Sequence, residues 1–168
     1  MTKTNTKKDE TNFERLKREY EKLRKKYNLP KFDEINKEFE IWNIKSDSYI
    51  IREIRRRVLE RIDFIASYLL PILNPRETSL WDYMKVKAFP KEDFEPLLKF
   101  YQKLTTLEHE GLTTLYESEK SEVEFIKKVW EEWPDIKNTT LKFLKKIKKG
   151  LEEIEKEDVR TSFEKYFQ

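Results

Sequence analysis

The sequence is poor in residues that many metal and nucleotide sites need. Its 168 residues include no cysteine, one histidine and two glycines. The absence of cysteine excludes disulfide bonds and any thiolate or zinc chemistry of the cysteine type. Because Gly111 and Gly150 are the only glycines, no glycine-rich phosphate-binding loop can be written.

Long apolar runs are also missing. Residues 1–10 lack the apolar core of a signal peptide, and no stretch has enough consecutive apolar residues to cross a membrane. Together with the missing cysteine, this pattern predicts a cytoplasmic protein with no membrane association.

The sequence has no excess of charge of one sign. Lys and Arg number 36 against 33 Asp and Glu, so 41% of the residues are charged while the net charge is only +3. This balance argues against a strongly basic protein. The high counts of lysine (26) and glutamate (25) are expected of a protein from a hot-growing organism, although an AT-rich genome would also enrich lysine.

Apolar side chains recur at intervals of three and four residues along most of the chain, which is the period of a helix with one buried face. We therefore predict an all-α fold, a single-domain helical bundle of six to eight helices. Its long central helix covers residues 49–73, with a kink at Pro71. Residues 1–10 are predicted to be a disordered basic tail and 11–168 a single all-helical domain, with 11–28 alternatively a semi-detached N-terminal helix.

The last third of the chain is predicted to form two helices. Ser121 and Glu124 have the spacing of a capping box, and Pro134 is expected to close the helix that follows or to redirect it. In the last helix, residues 135–156, Gly150 is expected to cost about 1 kcal/mol relative to alanine. The apolar residues expected to face inward there are Leu141, Leu144, Ile147, Leu151 and Ile154.

Catalytic and metal-binding patterns are weak. His109 lies between two glutamates, but it has neither the second histidine of a His-Glu-x-x-His zinc site nor the Glu-x-x-His elements of a di-iron bundle. With a single imidazole and no nucleophile elbow around any serine, a hydrolytic triad is unsupported. The sequence therefore predicts no cofactor, no metal and no catalytic residue, and it favours a non-enzymatic protein.

Half of the ten arginines fall within ten residues of the central helix. At about 100° per residue they scatter around that helix, so they cannot all face one ligand. We expect some of them to pair with acids on other helices. These residues are Arg52, Arg55, Arg56, Arg57 and Arg61.

Four lysines of the last helix behave differently, because they share one polar face opposite the predicted apolar stripe. They are Lys142, Lys145, Lys146 and Lys149. An ordinary solvated helix face has this appearance, and so does a patch that binds RNA or DNA phosphates.

The first helix begins with a capping box at Thr11 and Glu14 and carries an apolar stripe two heptads long. That stripe either packs within the chain or binds a partner, for example a second copy in a homodimer. Its members are Phe13, Leu16, Tyr20, Leu23 and Tyr27.

These observations favour a non-enzymatic helical interaction protein that docks to a macromolecular partner, either a protein or a ribonucleoprotein, through helix faces. The alternative is an enzyme or small-ligand binder with a pocket of carboxylates, arginines and tyrosines between helices. Buried charges without partners would favour the alternative, whereas fully paired buried charges would favour the interaction protein.

Overall fold

In the computed structural model the chain is all-α, which confirms the predicted fold class. The structure describes residues 11–45, 48–74 and 79–156, and no strand occurs in these ranges. The prediction for residues 1–10 lies outside them. The six α-helices of the described ranges are α1 (Asn12–Tyr27), α2 (Phe32–Phe39), α3 (Ile50–Leu73), α4 (Leu80–Ala88), α5 (Phe94–Thr113) and α6 (Glu119–Lys156).

The chain divides into two compact units. Unit 1 is formed by residues up to Glu60 together with 111–127, and unit 2 by residues 61–110 together with those from Lys128 onward. The extent of the single domain expected over 11–168 stays a prediction. Among the described residues, no helix has the length and apolarity that a membrane crossing requires.

The core of unit 1 is built around α1 and α2. The capping box at Thr11 and Glu14 is present, with the Glu14 amide donating to the Thr11 hydroxyl at 3.2 Å. Leu16 and Tyr20 are fully buried, and the Tyr20 ring packs edge-on against Phe32 with ring centroids 5.4 Å apart. This aromatic contact joins the first two helices of the unit.

α3 is the long helix predicted for residues 49–73. It runs from Ile50 to Leu73, with Pro71 inside its last turn. Because proline has no backbone N–H, α3 lacks the hydrogen bond that residue 71 would donate to the Ser67 carbonyl, and the helix ends two residues later. The predicted position and length of this helix are confirmed, whereas the kink at Pro71 stays a prediction.

The prediction of two helices in the last third of the chain is wrong, because Pro134 does not close a helix; a change of direction at Pro134 stays a prediction. α6 is one helix of 38 residues with Pro134 inside it. It begins at Glu119, ahead of the predicted capping box, because the Ser118 hydroxyl accepts a hydrogen bond from the Ser121 amide at 3.2 Å. Residues up to Lys127 belong to unit 1 and those from Lys128 to unit 2.

The apolar stripe of α6 in unit 2 also differs from the prediction. Leu141, expected to face inward, is half-exposed, whereas Phe143 and Ile147 are almost fully buried. The Phe143 ring lies 5.8 Å, centroid to centroid, from both Phe89 and Phe100. The helix is therefore rotated from the orientation that its leucines suggest, since the long-range aromatic partners of Phe143 outweigh the exposure of Leu141.

Gly150 completes this buried stripe and corrects a second expectation. A Cβ atom added at Gly150 would lie 2.7 Å from the carbonyl carbon of Ala88 and 2.8 Å from its Cα, and closer still to its carbonyl oxygen. These atoms are backbone and cannot turn aside. The glycine is therefore a requirement of packing, and not merely a weak helix former.

We predict that Gly150→Ala destabilises the protein, although alanine is the better helix former by about 1 kcal/mol. The clash with Ala88 should lower the free energy of unfolding by about 1–3 kcal/mol, the usual range for overpacking. Chemical denaturation followed by circular dichroism measures this change. The control, Glu131→Ala at an exposed position of the same helix, should stay within about 0.5 kcal/mol of the wild type. An unchanged or higher stability of Gly150→Ala would show that the close approach to Ala88 is absent.

Candidate functional site

Three of the four predicted lysines form an exposed face on α6. We call Lys142, Lys145 and Lys149 the α6 lysine face, and all three are exposed. At about 100° per residue, each of the three is rotated by about 100–160° about the helix axis from the buried Phe143, and all three in the same direction. Within the described part of the chain, Lys142 and Lys145 make no ion pair.

Lys146 is not part of this face. It lies only about 60° from Phe143 around the helix, and its ammonium group donates to the Asp93 carboxylate, which is itself buried. Asp93 is the last residue of a short 3-10 helix, Lys91–Asp93, directly before α5, and it forms an ion pair with this lysine of α6. The sequence could not identify this partner, because the two residues are 53 positions apart.

The segment of α6 that carries the α6 lysine face contains no acidic residue. Residues 136–151 contain six lysines and no Asp or Glu. The first acids that follow are Glu152, 3.6 Å from Lys148, and Glu153, 3.8 Å from Lys149, both too distant for a hydrogen bond. Because the net charge of the whole chain is only +3, the rest of the chain is net acidic, and the positive charge is concentrated in this stretch.

The arginine cluster divides among several partners, as expected. Arg56 binds Glu53 of the same helix, with the two charged groups 2.7 Å apart. Arg57 reaches Glu60 at 3.1 Å and donates to the Asn43 side-chain oxygen at 2.8 Å. These contacts hold much of the cluster in local ion pairs.

Arg55 and Glu122 form the most buried ion pair of unit 1. Nε of Arg55 lies 3.4 Å from Oε1 of Glu122, and Nε of the half-exposed Arg52 lies at the same distance from that oxygen. Arg55 also donates through Nη1 to the Gly111 carbonyl at 3.0 Å. Burial lowers the pKa of Arg55, and the Glu122 carboxylate opposes that shift.

Two atoms of this pair have no hydrogen bond in the described structure, namely Nε of Arg55 and Oε1 of Glu122. Their mutual attraction is therefore electrostatic, without the geometry of a strong charge-assisted hydrogen bond. Gly111, whose carbonyl accepts from Arg55, is itself closely packed, since a Cβ there would lie 2.6 Å from side-chain atoms of both Leu59 and Phe125.

The apolar stripe of α1 is largely used within unit 1. Leu16 and Tyr20 are fully buried, while Phe13 packs edge-on against Phe32 with ring centroids 5.6 Å apart. Leu23 and Tyr27 are half-buried, and the Tyr27 hydroxyl donates to Glu119. Phe13 is thus the member that leaves the most apolar surface exposed, and the partner-binding role of the stripe stays a prediction.

The lone histidine lies on the surface. His109 is exposed, and its Nδ1 is hydrogen-bonded to the Thr105 carbonyl one turn earlier. Among the described residues, no three His, Asp or Glu side chains come together as a metal site would need.

A pair of carboxyl groups in unit 2 was not predicted. Burial raises the pKa of Glu108 on α5, and the carboxylate of Asp63 on α3 raises it further, whereas His109 acts in the opposite direction. Glu108 interrupts the apolar phase of α5, but periodicity cannot indicate that an acid of α3 interacts with it, because Asp63 is distant in the chain.

No protein-family model, no curated protein and no solved structure matches this chain.

We predict that Arg55→Met lowers the free energy of unfolding by about 3 kcal/mol, because it leaves Glu122 buried with only the half-exposed Arg52 nearby. The double variant Arg55→Met/Glu122→Leu should be markedly less destabilised than the sum of its single variants, since neither charge then remains. Arg56→Met, which breaks an exposed pair, should cost less than about 1 kcal/mol. Urea denaturation of the set tests this account, and additive losses at positions 55 and 122 would refute the coupling.

We predict that Glu108→Gln raises the melting temperature at pH 7. The pKa of Glu108 is higher in the folded than in the unfolded chain, so its ionised form destabilises the fold above that pKa. The gain should shrink as the pH falls through the folded pKa, where the native carboxyl takes up a proton. Thermal melts between pH 4 and pH 8 measure it. Glu131→Gln serves as the exposed control, and an equal effect of the two variants at every pH would contradict the prediction.

Proposed function

We propose that this protein is a non-enzymatic interaction protein that docks to a macromolecular partner through a helix face. The observation that carries the proposal is the α6 lysine face, whose three side chains are exposed together on one side of a helix that is buried on its other side. As part of the same proposal we place the protein in the cytoplasm, on its lack of cysteine.

Helix electrostatics alone do not explain the face. Cations near the C-terminal end of a helix are favoured by its dipole, but this effect falls off within the last turn. α6 extends to Lys156, so Lys142 and Lys145 lie several turns before its end. The helix dipole therefore does not account for these two lysines, and both are exposed to a partner of opposite charge.

The buried charges also favour an interaction protein. Within the described residues, each buried charged side chain has an oppositely charged partner within 4 Å. Catalytic acids and bases, in contrast, characteristically have a pKa shifted by burial or by a neighbouring like charge. The pairs are Arg55 with Glu122, Lys85 with Asp82, and Asp93 with Lys146.

The alternative is a small-ligand binder or enzyme, and one observation favours it. Nε of Arg55 and Oε1 of Glu122 are buried without hydrogen bonds, so a polar ligand would find unsatisfied atoms there. A compound that raises the melting temperature of the wild type but not of Arg55→Met/Glu122→Leu would favour this alternative over the interaction protein.

The proposal predicts contact with a partner at the α6 lysine face in the host cell. A photo-crosslinking amino acid in place of Lys142 or Lys149 should give an adduct of higher mass upon irradiation. The same residue in place of Lys25, an exposed lysine of α1, should give little or none. Gel electrophoresis with and without nuclease resolves the adducts. Equal yields at all three positions, or no adduct at any, would overturn the proposal.

A further inference from the structure

The proposed function leaves the chemistry of the partner open, and the inference drawn here rests on it. We propose that the α6 lysine face binds the phosphate backbone of a nucleic acid without reading its sequence. Four features of the helix carry this inference: its spacing, its residue types, its free donor groups and the burial of its apolar side.

The spacing of the face suits a row of phosphates. Lys142 and Lys149 are seven residues apart, which is about 10 Å along the helix axis. Each strand of a duplex has a phosphate every 3.4 Å or so along the duplex axis, although successive phosphates also wind around that axis. A row of long, flexible lysine side chains about 10 Å in length can therefore reach about three phosphates.

Asn138 continues the same line by one turn. It is exposed, and at about 100° per residue it lies between Lys145 and Lys149 around the helix. Its amide can donate to a phosphate oxygen, as asparagine does in many nucleic-acid complexes. The donors thus follow one ridge of α6 at intervals of four, three and four residues.

The residue types favour backbone contact over base recognition. Residues 136–151 include six lysines and no arginine, while four of the five arginines of α3 lie within 4 Å of acids of unit 1. Lysine is a compact point charge, and it lacks the planar fork with which arginine reads guanine. A face made of lysines therefore predicts binding that depends on salt and is indifferent to sequence.

The lysines of the face are available to a ligand. Lys142 and Lys145 make no ion pair among the described residues. The ammonium group of Lys149 lies 3.8 Å from the Glu153 carboxylate, which is too far for a hydrogen bond. Lys146, in contrast, is held by Asp93 and contributes little. A phosphate would therefore displace at most one weak, exposed ion pair.

A membrane surface fits the face less well. A basic amphipathic helix binds lipid by placing its apolar side among the acyl chains. In α6 that side is occupied, because Phe143 and Ile147 are buried within unit 2. An acidic protein offers the same sign of charge as a nucleic acid but no regular row of phosphates, and it is one outcome of the test.

The test measures binding of the purified full chain to labelled duplex DNA and to labelled single-stranded RNA, both of mixed sequence, by fluorescence anisotropy. The salt concentration is varied from about 25 to about 300 mM, because phosphate contacts weaken over roughly this range. For duplex DNA, three phosphate contacts predict a slope of about −3 in log K against log salt. Lys142→Gln/Lys145→Gln/Lys149→Gln should weaken binding about tenfold or more at low salt and reduce that slope. Asn138→Asp, which adds a negative charge to the same ridge, should weaken binding more than Asn138→Ala.

The matched control is Lys25→Gln/Lys37→Gln/Lys120→Gln, three exposed lysines of unit 1 with the same change in net charge. It should change affinity by less than about threefold, and circular dichroism should show all variants folded. No binding at the lowest salt, equal losses in the two triple variants, or equal affinity for polyglutamate would each overturn the inference. If the inference fails in this way, the crosslinking experiment decides about the proposed function. A protein adduct at position 142 that nuclease does not remove would support the proposed function, whereas the lack of any adduct would overturn the proposed function together with the inference.

Discussion

The close approach of Gly150 to the backbone of Ala88 determines how α6 is oriented in unit 2. Any side chain larger than hydrogen at this position would collide with backbone atoms that cannot move aside. Phe143, two turns earlier on the same side, packs between Phe89 and Phe100 and fixes the same rotation of the helix. Since a helix has only one rotational setting, burial of this side dictates which residues face solvent. The α6 lysine face is a consequence of this packing.

Local signals predicted most of the helices. α1 begins at its capping box and α3 occupies the predicted residues to within one position, because caps and apolar spacing act over a few neighbouring residues. The failures occur where distant contacts decide. Pro134 lies inside a helix that it was expected to end or to redirect, and Leu141 is exposed because the aromatic partners of Phe143 come from other parts of the chain. A single sequence does not contain these long-range pairings.

The candidate site was predicted in part, for the same reason. Periodicity placed four lysines on one polar face, and three of them are exposed there. It could not reveal that Asp93 withdraws Lys146 into an ion pair, nor that Glu122 would be the buried partner of Arg55. The near-balance of charge in the whole chain is likewise misleading, because acids pair with most of the arginines while one stretch of α6 has lysines and no acids at all. Net charge describes the molecule poorly when its charges are arranged so unevenly.

The central claim is that packing at Gly150 presents the α6 lysine face to nucleic-acid phosphates. Lysine acetylation, followed residue by residue with mass spectrometry, tests both the exposure of this face in the free protein and its contact with phosphates in the complex. In the free protein, Lys142, Lys145 and Lys149 should react rapidly and Lys146 slowly, since Asp93 holds it. With duplex DNA at low salt, the three should become protected while Lys25 stays reactive. Slow reaction of the three in the free protein, or protection of Lys25 to the same extent, would contradict the account.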